Sequence, residues 1–213
     1  MLWLGGFCVQ LASGQTFQNM DFEAAGSHSI PANAVWLGWS LAASGWQHAP
    51  GADTFFVYHN PPQTNLTQSY SLIDRTSSKW TPLAGDFSLA LTSGYYSSAQ
   101  ANSSWVPAAI SQQGVVPSDS LSFRLLAQGQ VSVSINSEPI KLFNLGGDWL
   151  GGDVSAFAGK VVTLEIASAS AELHDPVVVD NLTFTAQPVP EPATITLLGV
   201  GLVVLLRVAR RRA

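Results

Sequence analysis

Short apolar runs rich in β-branched and aromatic residues recur from Gln15 to Ala186, each broken off by Gly, Pro, Ser or Asn. Leu121-Ser122-Phe123-Arg124-Leu125 and Val131-Ser132-Val133-Ser134-Ile135 alternate apolar and polar positions with the period of two that sends successive side chains to opposite faces of a strand. Val35 to Trp39, Thr54 to Tyr58, Phe87 to Leu91, Val161 to Ile166 and Val177 to Phe184 read as further strands. No long apolar stripe of helical period interrupts them. Many short strands at regular spacing predict an all-β body, a two-sheet sandwich or jelly roll. The expected core is Phe123, Leu125, Val131, Val133, Ile135, Val162, Leu164, Ile166, Val177, Val179, Leu182 and Phe184.

The two ends follow a different pattern. Leu2, Trp3, Leu4, Phe7, Val9 and Leu11 make an apolar start, and small residues follow at Ala12, Ser13 and Gly14. Residues 1–14 therefore read as a signal-peptide-like leader, although no Lys or Arg precedes the apolar run. At the other end Pro188, Pro190 and Pro192 make an extended spacer, Ala193 to Leu206 is apolar apart from two threonines, and Arg207, Arg210, Arg211 and Arg212 close the chain. The apolar run is short of the roughly 20 residues of a comfortable span, and Val208, Ala209 and a snorkelling Arg207 extend it. A single C-terminal transmembrane helix is expected, with its basic end cytoplasmic and the body outside. The expected organisation is a leader at 1–14, a sandwich at 15–186 and a tail at 187–213.

Charge sharpens this picture. The 213 residues are 46% hydrophobic and only 11% charged, with a net charge of −5. Four of the nine basic residues are the terminal arginines, so the body is more acidic than the total suggests. Nucleic acid is excluded as a natural partner, since that affinity depends on Lys and Arg neutralising phosphates. Cys8 is the only cysteine, so no intramolecular disulfide forms.

Val189-Pro190-Glu191-Pro192-Ala193-Thr194, an apolar stretch containing Leu198-Gly199-Val200-Gly201-Leu202, and then Arg210-Arg211-Arg212 resemble the PEP-CTERM sorting signal. That resemblance implies recognition and removal of the tail by an exosortase, a membrane-embedded enzyme of Gram-negative bacteria whose hosts usually make an extracellular polysaccharide matrix. It implies inner-membrane anchoring before processing and release to the cell surface or matrix afterwards. Within the body, Asn19-Met20-Asp21-Phe22-Glu23, the segment Asp153 to Leu164 and Val179-Asp180-Asn181-Leu182-Thr183-Phe184 are similar to the opening and closing phrases of galactose-binding-like jelly rolls. In such domains the first and last strands meet, and a calcium ion often staples them. The resemblance thus implies a structural Ca2+ held by Asp21, Glu23 and Asp180. Asp180 interrupts an apolar run, where an unpaired charge is costly, so backbone N–H donors are the other way to satisfy it.

Tryptophans are numerous, and core packing is the first expectation for each. Trp80, Trp105 and Trp149 stand in polar, loop-like settings and are the candidates for stacking on sugar rings of an extracellular polysaccharide. Two Gly-Gly-Asp triplets, at 146–148 and 151–153, read as a glycine-rich connection. The four histidines lack metal spacing, and no nucleophile elbow, P-loop or His-Glu-x-x-His occurs. The expectation is an exported non-catalytic protein that binds carbohydrate. A structural matrix protein and a secreted glycoside hydrolase with two facing carboxylates are the rivals.

Overall fold

The computed structural model describes residues 15–31, 34–49, 56–60, 69–95, 105–169 and 176–190. The leader, the apolar part of the tail and its arginines lie outside the described residues, as do the side chains of Phe56, Tyr95 and Trp105.

The strands are β1 (Trp36–Gly38), β2 (Gln47–His48), β3 (Phe56–His59), β4 (Ser69–Asp74), β5 (Phe87–Thr92), β6 (Gly94–Tyr95), β7 (Trp105–Val106) and β8 (Ala109–Val115). They continue with β9 (Ser122–Gln128), β10 (Val131–Ile135), β11 (Glu138–Ile140), β12 (Phe143–Gly146), β13 (Trp149–Asp153), β14 (Val161–Ser168) and β15 (Val177–Thr185). Among the described residues the only α-helix is one turn, Trp39–Ala42, flanked elsewhere by two 3-10 turns. An eight-stranded sheet runs β1-β3-β4-β5-β15-β9-β13-β12, and a five-stranded sheet runs β11-β10-β14-β8-β2. Among the described residues the pairings between these strands are antiparallel except β3 with β4, and an isolated parallel bridge joins Thr16 to Val115. From β8 to β15 the chain crosses between sheets repeatedly, which is the jelly-roll habit of building both layers from one alternating path.

One core fills the space between the layers. Phe123, Leu125, Val177 and Val179 from the large sheet meet Ile110, Val133, Ile135, Leu164 and Ile166 from the small one. All twelve positions expected inside do face the core, with Val131 and Phe184 at its margin. Tyr70 is buried across the layers, and its hydroxyl donates to the Ala109 carbonyl at 2.9 Å. Burial pushes that phenol up to about 12.

Three local readings change. Glu23 does not lie in a strand: Phe22 adopts a left-handed conformation (φ 58°), and Glu23–Ser27 forms a 3-10 turn. Strict alternation from Val177 would put Leu182 on the face of Asp180. Instead the register slips between Asp180 and Thr183, with Asn181 at φ 46°, and the bulge turns Leu182 into the core. The second Gly-Gly-Asp triplet is no connection. It lies in β13, where a Cβ at Gly152 would run into Ile140 and the Lys141 carbonyl. Only the first triplet serves as the β12–β13 turn.

Candidate functional site

The outer face of the large sheet carries the polar and aromatic side chains that the core does not use. Cross-strand register lines up Trp36, Tyr58, Ser71, Ala90, Val178 and Gln128 on β1, β3, β4, β5, β15 and β9. A second line, nearer the end of β15, joins Asp180, Leu126 and Trp149. Alternation fixes the phase: Leu37 and Val57 are buried in the core, so Trp36 and Tyr58 point outward.

Trp36 is 51% exposed, and its ring lies 3.9 Å from that of Tyr58, centroid to centroid, at an interplanar angle of 39°. Neighbouring Val35 is 55% exposed. Among the described residues β1 is the edge strand of the sheet, so this aromatic pair sits at its rim. Beneath it His59 Nδ1 donates to the Ala34 carbonyl at 3.0 Å, and Nε2 lies 2.8 Å from Asp74 Oδ2. The other Asp74 oxygen accepts from Asn60 Nδ2, the Thr76 hydroxyl and the Thr76 N–H at 2.6, 2.6 and 2.7 Å. Burial alone would raise the Asp74 carboxyl, but the hydrogen bonds from Thr76, Asn60 and His59 outweigh it and hold it at about 2. The rim under Trp36 is thus a fixed platform.

The sequence candidates fall elsewhere. Trp80 is half-buried and, with Leu83, packs over Ile73, Ala90 and Val178, with Lys79 Nζ 5.2 Å from its ring centroid. Trp149 is half-buried in β13, and the Trp105 side chain lies outside the described residues. In Val35-Trp36-Leu37 both Trp36 and Leu37 are apolar, so the pattern alone could not say which one faces out.

Asp21, Glu23 and Asp180 meet differently from the expected staple. The N-terminal segment does run beside β15: Leu182 N–H donates to the Met20 carbonyl at 2.8 Å, and the rings of Phe17 and Phe184 are 5.2 Å apart. What the two carboxylates share is the loop before β5. Asp180 Oδ2 accepts the Ser88 hydroxyl at 2.6 Å and the Ala84 N–H at 2.9 Å, while Oδ1 accepts the Asn181 N–H at 2.6 Å. Glu23 Oε1 accepts the N–H groups of Asp86 at 2.7 Å and Phe87 at 3.0 Å. Gly85 sits between them at φ +56°, where a Cβ would strike Glu23 Oε1. Asp21 stays exposed, its Oδ1 3.3 Å from the Glu23 N–H that donates to it. Among the described residues no group of three or more His, Cys, Asp or Glu is gathered to hold a metal ion. Backbone and hydroxyl donors satisfy both oxygens of Asp180 and one oxygen of Glu23, so the buried Asp180 has its partners without an ion. Burial, opposed by the Ser88, Ala84 and Asn181 hydrogen bonds and reinforced by the nearby Glu23 charge, raises the Asp180 carboxyl to about 6.

The chain leaves the fold beside a groove of about 790 Å³ between the β11–β12 connection and the segment Asp153–Phe157. Pro188 and Val189 form part of its wall.

Fold and tail together define an all-β two-sheet sandwich that carries a sorting signal. Residues 188–212 match the PEP-CTERM protein-sorting motif. No curated protein matches the chain. Among solved structures the chain is similar to Caldicellulosiruptor saccharolyticus CBM27-1, crystallised in complex with mannohexaose, with 11% identity, 75% of this chain and 100% of that one covered, and a TM-score of 0.35. A likeness at that level bears on neither ligand nor mechanism. No helix among the described residues is long and apolar enough to cross a membrane, and the tail lies outside them.

Proposed function

We propose that this chain is a non-catalytic surface protein of a Gram-negative bacterium. An exosortase acts on its tail, and its body binds neutral polysaccharide of the extracellular matrix. The sorting motif at 188–212 supports the first half. The observation that carries the second is the exposed Trp36 stacked on Tyr58 at the sheet rim. An aromatic face offers a flat apolar surface to the C–H face of a sugar ring, and exposed aromatics on a rigid edge mark interaction sites. A neutral polymer suits the body, since its basic residues are only Arg75, Lys79, Arg124, Lys141 and Lys160 and a polyanion would be repelled. The non-catalytic reading is supported by the use of Glu23 and Asp180: both are committed to loop N–H groups rather than facing each other across a cleft.

Calorimetric titration of the body with a panel of soluble neutral polysaccharides tests this. Trp36→Ala is expected to weaken binding by about 2 kcal/mol, roughly thirtyfold, as for an aromatic anchor at the centre of a contact. Its melting temperature should hold, because the side chain is half in solvent. Equal binding by Trp36→Ala, or no binding to any member of the panel, sinks the carbohydrate reading and leaves the structural-matrix one.

A further inference from the structure

We infer that the end of the sandwich where β15 finishes is the surface turned toward the bilayer in the unprocessed chain, with Pro188 and Val189 walling the groove at the tail exit. On this geometry the Trp36 rim is the membrane-distal end. The inference rests on the reading of residues 193–206 as a membrane segment.

Two lengths decide it. The chain is pinned up to Gln187: Leu121 N–H donates to the Thr185 carbonyl at 2.9 Å, the Ser122 hydroxyl to the Gln187 carbonyl at 2.7 Å, and the Gln187 N–H to Thr185 Oγ1 at 3.1 Å. Pro188 and Val189 then line the same groove as Leu121, Ile140, Phe143 and Phe157, with Val189 half-buried. Six residue steps separate Gln187 from Ala193, where the apolar run begins. Fully extended, they reach about 20 Å. Part of that reach is used to cross the headgroup layer, which is roughly 5–8 Å thick on each side. β15 is nine residues long, so the sandwich extends about 26 Å from the tail exit to its far end. The tether is shorter than the body it holds. The body cannot turn its far end, where Gln128 and Gly129 join β9 to β10, onto the membrane.

Leu121, 41% exposed, and Lys141, whose Nζ lies 5.0 Å from the Phe143 ring centroid, mark the end nearest the exit. At the other end, Trp36 shares its row with Val178 and Gln128, at the start of β15 rather than its finish. Tethering therefore presents the rim outward, toward a matrix polymer, before any processing takes place.

The full chain, with Cys8→Ser, is reconstituted in phosphatidylcholine vesicles carrying headgroup spin labels. A fluorophore is placed at Ala156→Cys by the groove or at Gln130→Cys at the far end, both exposed positions. The label at position 156 should be quenched at least about threefold more strongly, since the two sites differ by about 26 Å of strand length. Inserting about 20 Gly and Ser residues between Gln187 and Pro188 supplies slack of body size and should erase the difference. Equal quenching in vesicle-bound protein overturns the inference. A difference that survives the insertion also overturns it, because the face would then be held by its own lipid affinity rather than by the tether. Failure of the chain to float with vesicles overturns the membrane reading of the tail, a result distinct from the other two.

Discussion

Asp180→Ala is expected to destabilise the body by about 2–3 kcal/mol at neutral pH, lowering its melting temperature by roughly 5–10 °C. The substitution leaves the Ser88 hydroxyl and the Ala84 N–H without their acceptor, and Ser88 is fully buried. It also frees the loop whose Trp80 and Leu83 cover Ile73, Ala90 and Val178. Asp180→Asn retains an acceptor oxygen and should cost less, below about 1 kcal/mol. The two variants also separate through pH. The folded carboxyl titrates at about 6 against an ordinary value of 3.8, so between those values the folded state binds more protons than the unfolded one. The contribution of this group to stability is therefore largest below about pH 4, falls as pH rises through that window, and is flat above it. Asp180→Asn should remove that fall. Asp74 acts with the opposite sign and at lower pH: its carboxyl is held at about 2, so its contribution is present above pH 3.8 and lost as pH drops toward 2. Thermal melts of the three proteins between pH 3 and 8 check this. An Asp180→Ala melting temperature equal to the parent, or an unchanged pH slope in Asp180→Asn, would contradict the clamp.

Replacing Arg210, Arg211 and Arg212 by Glu should nearly abolish processing of the tail while leaving the body folded. The arginines lie beyond the apolar run, outside the described residues. The role expected of them is topological. Basic residues hold their side of a membrane segment in the cytoplasm, and three acids in their place remove that signal. The tail then passes across or fails to insert, and the motif never sits where a membrane enzyme can act on it. An expressing host should accumulate full-length chain, visible as a shift on immunoblot. Normal processing of the triple variant would show that the arginines carry no topological information. Normal processing together with a destabilised body would point instead to an unrecognised contact between tail and fold.

The sandwich was legible because burial imposes a period of two wherever one strand face meets a core. Phe123, Leu125, Val133, Ile135, Val162, Leu164 and Ile166 announce that face, and the structure buries all of them. Legibility failed where local backbone overrides the period. Nothing in Val177 to Phe184 signals a bulge at Asn181 except the tolerance of Asn for a left-handed conformation. The left-handed Phe22 that ends the strand reading of residues 19–23 has no sequence signal at all. The pairing of Glu23 with Asp180 was half visible. An acid inside an apolar run must find partners, but the partners lie some ninety residues away in sequence, the Ala84 N–H and the Ser88 hydroxyl. A polar neighbourhood in sequence does not by itself expose a tryptophan: Trp80 packs over Ile73, Ala90 and Val178 of its own sheet. Trp36, set between apolar neighbours, is turned outward by register.

The central claim is that the tail is a signal removed during sorting rather than a lasting part of the protein. Mass spectrometry of the protein recovered from the surface of a host that carries an exosortase tests it most directly. The expected result is peptides covering the body through β15 and a mature C-terminus upstream of Arg207, with none of the terminal arginines present. A surface-exposed protein whose last peptide ends at Ala213 would contradict it.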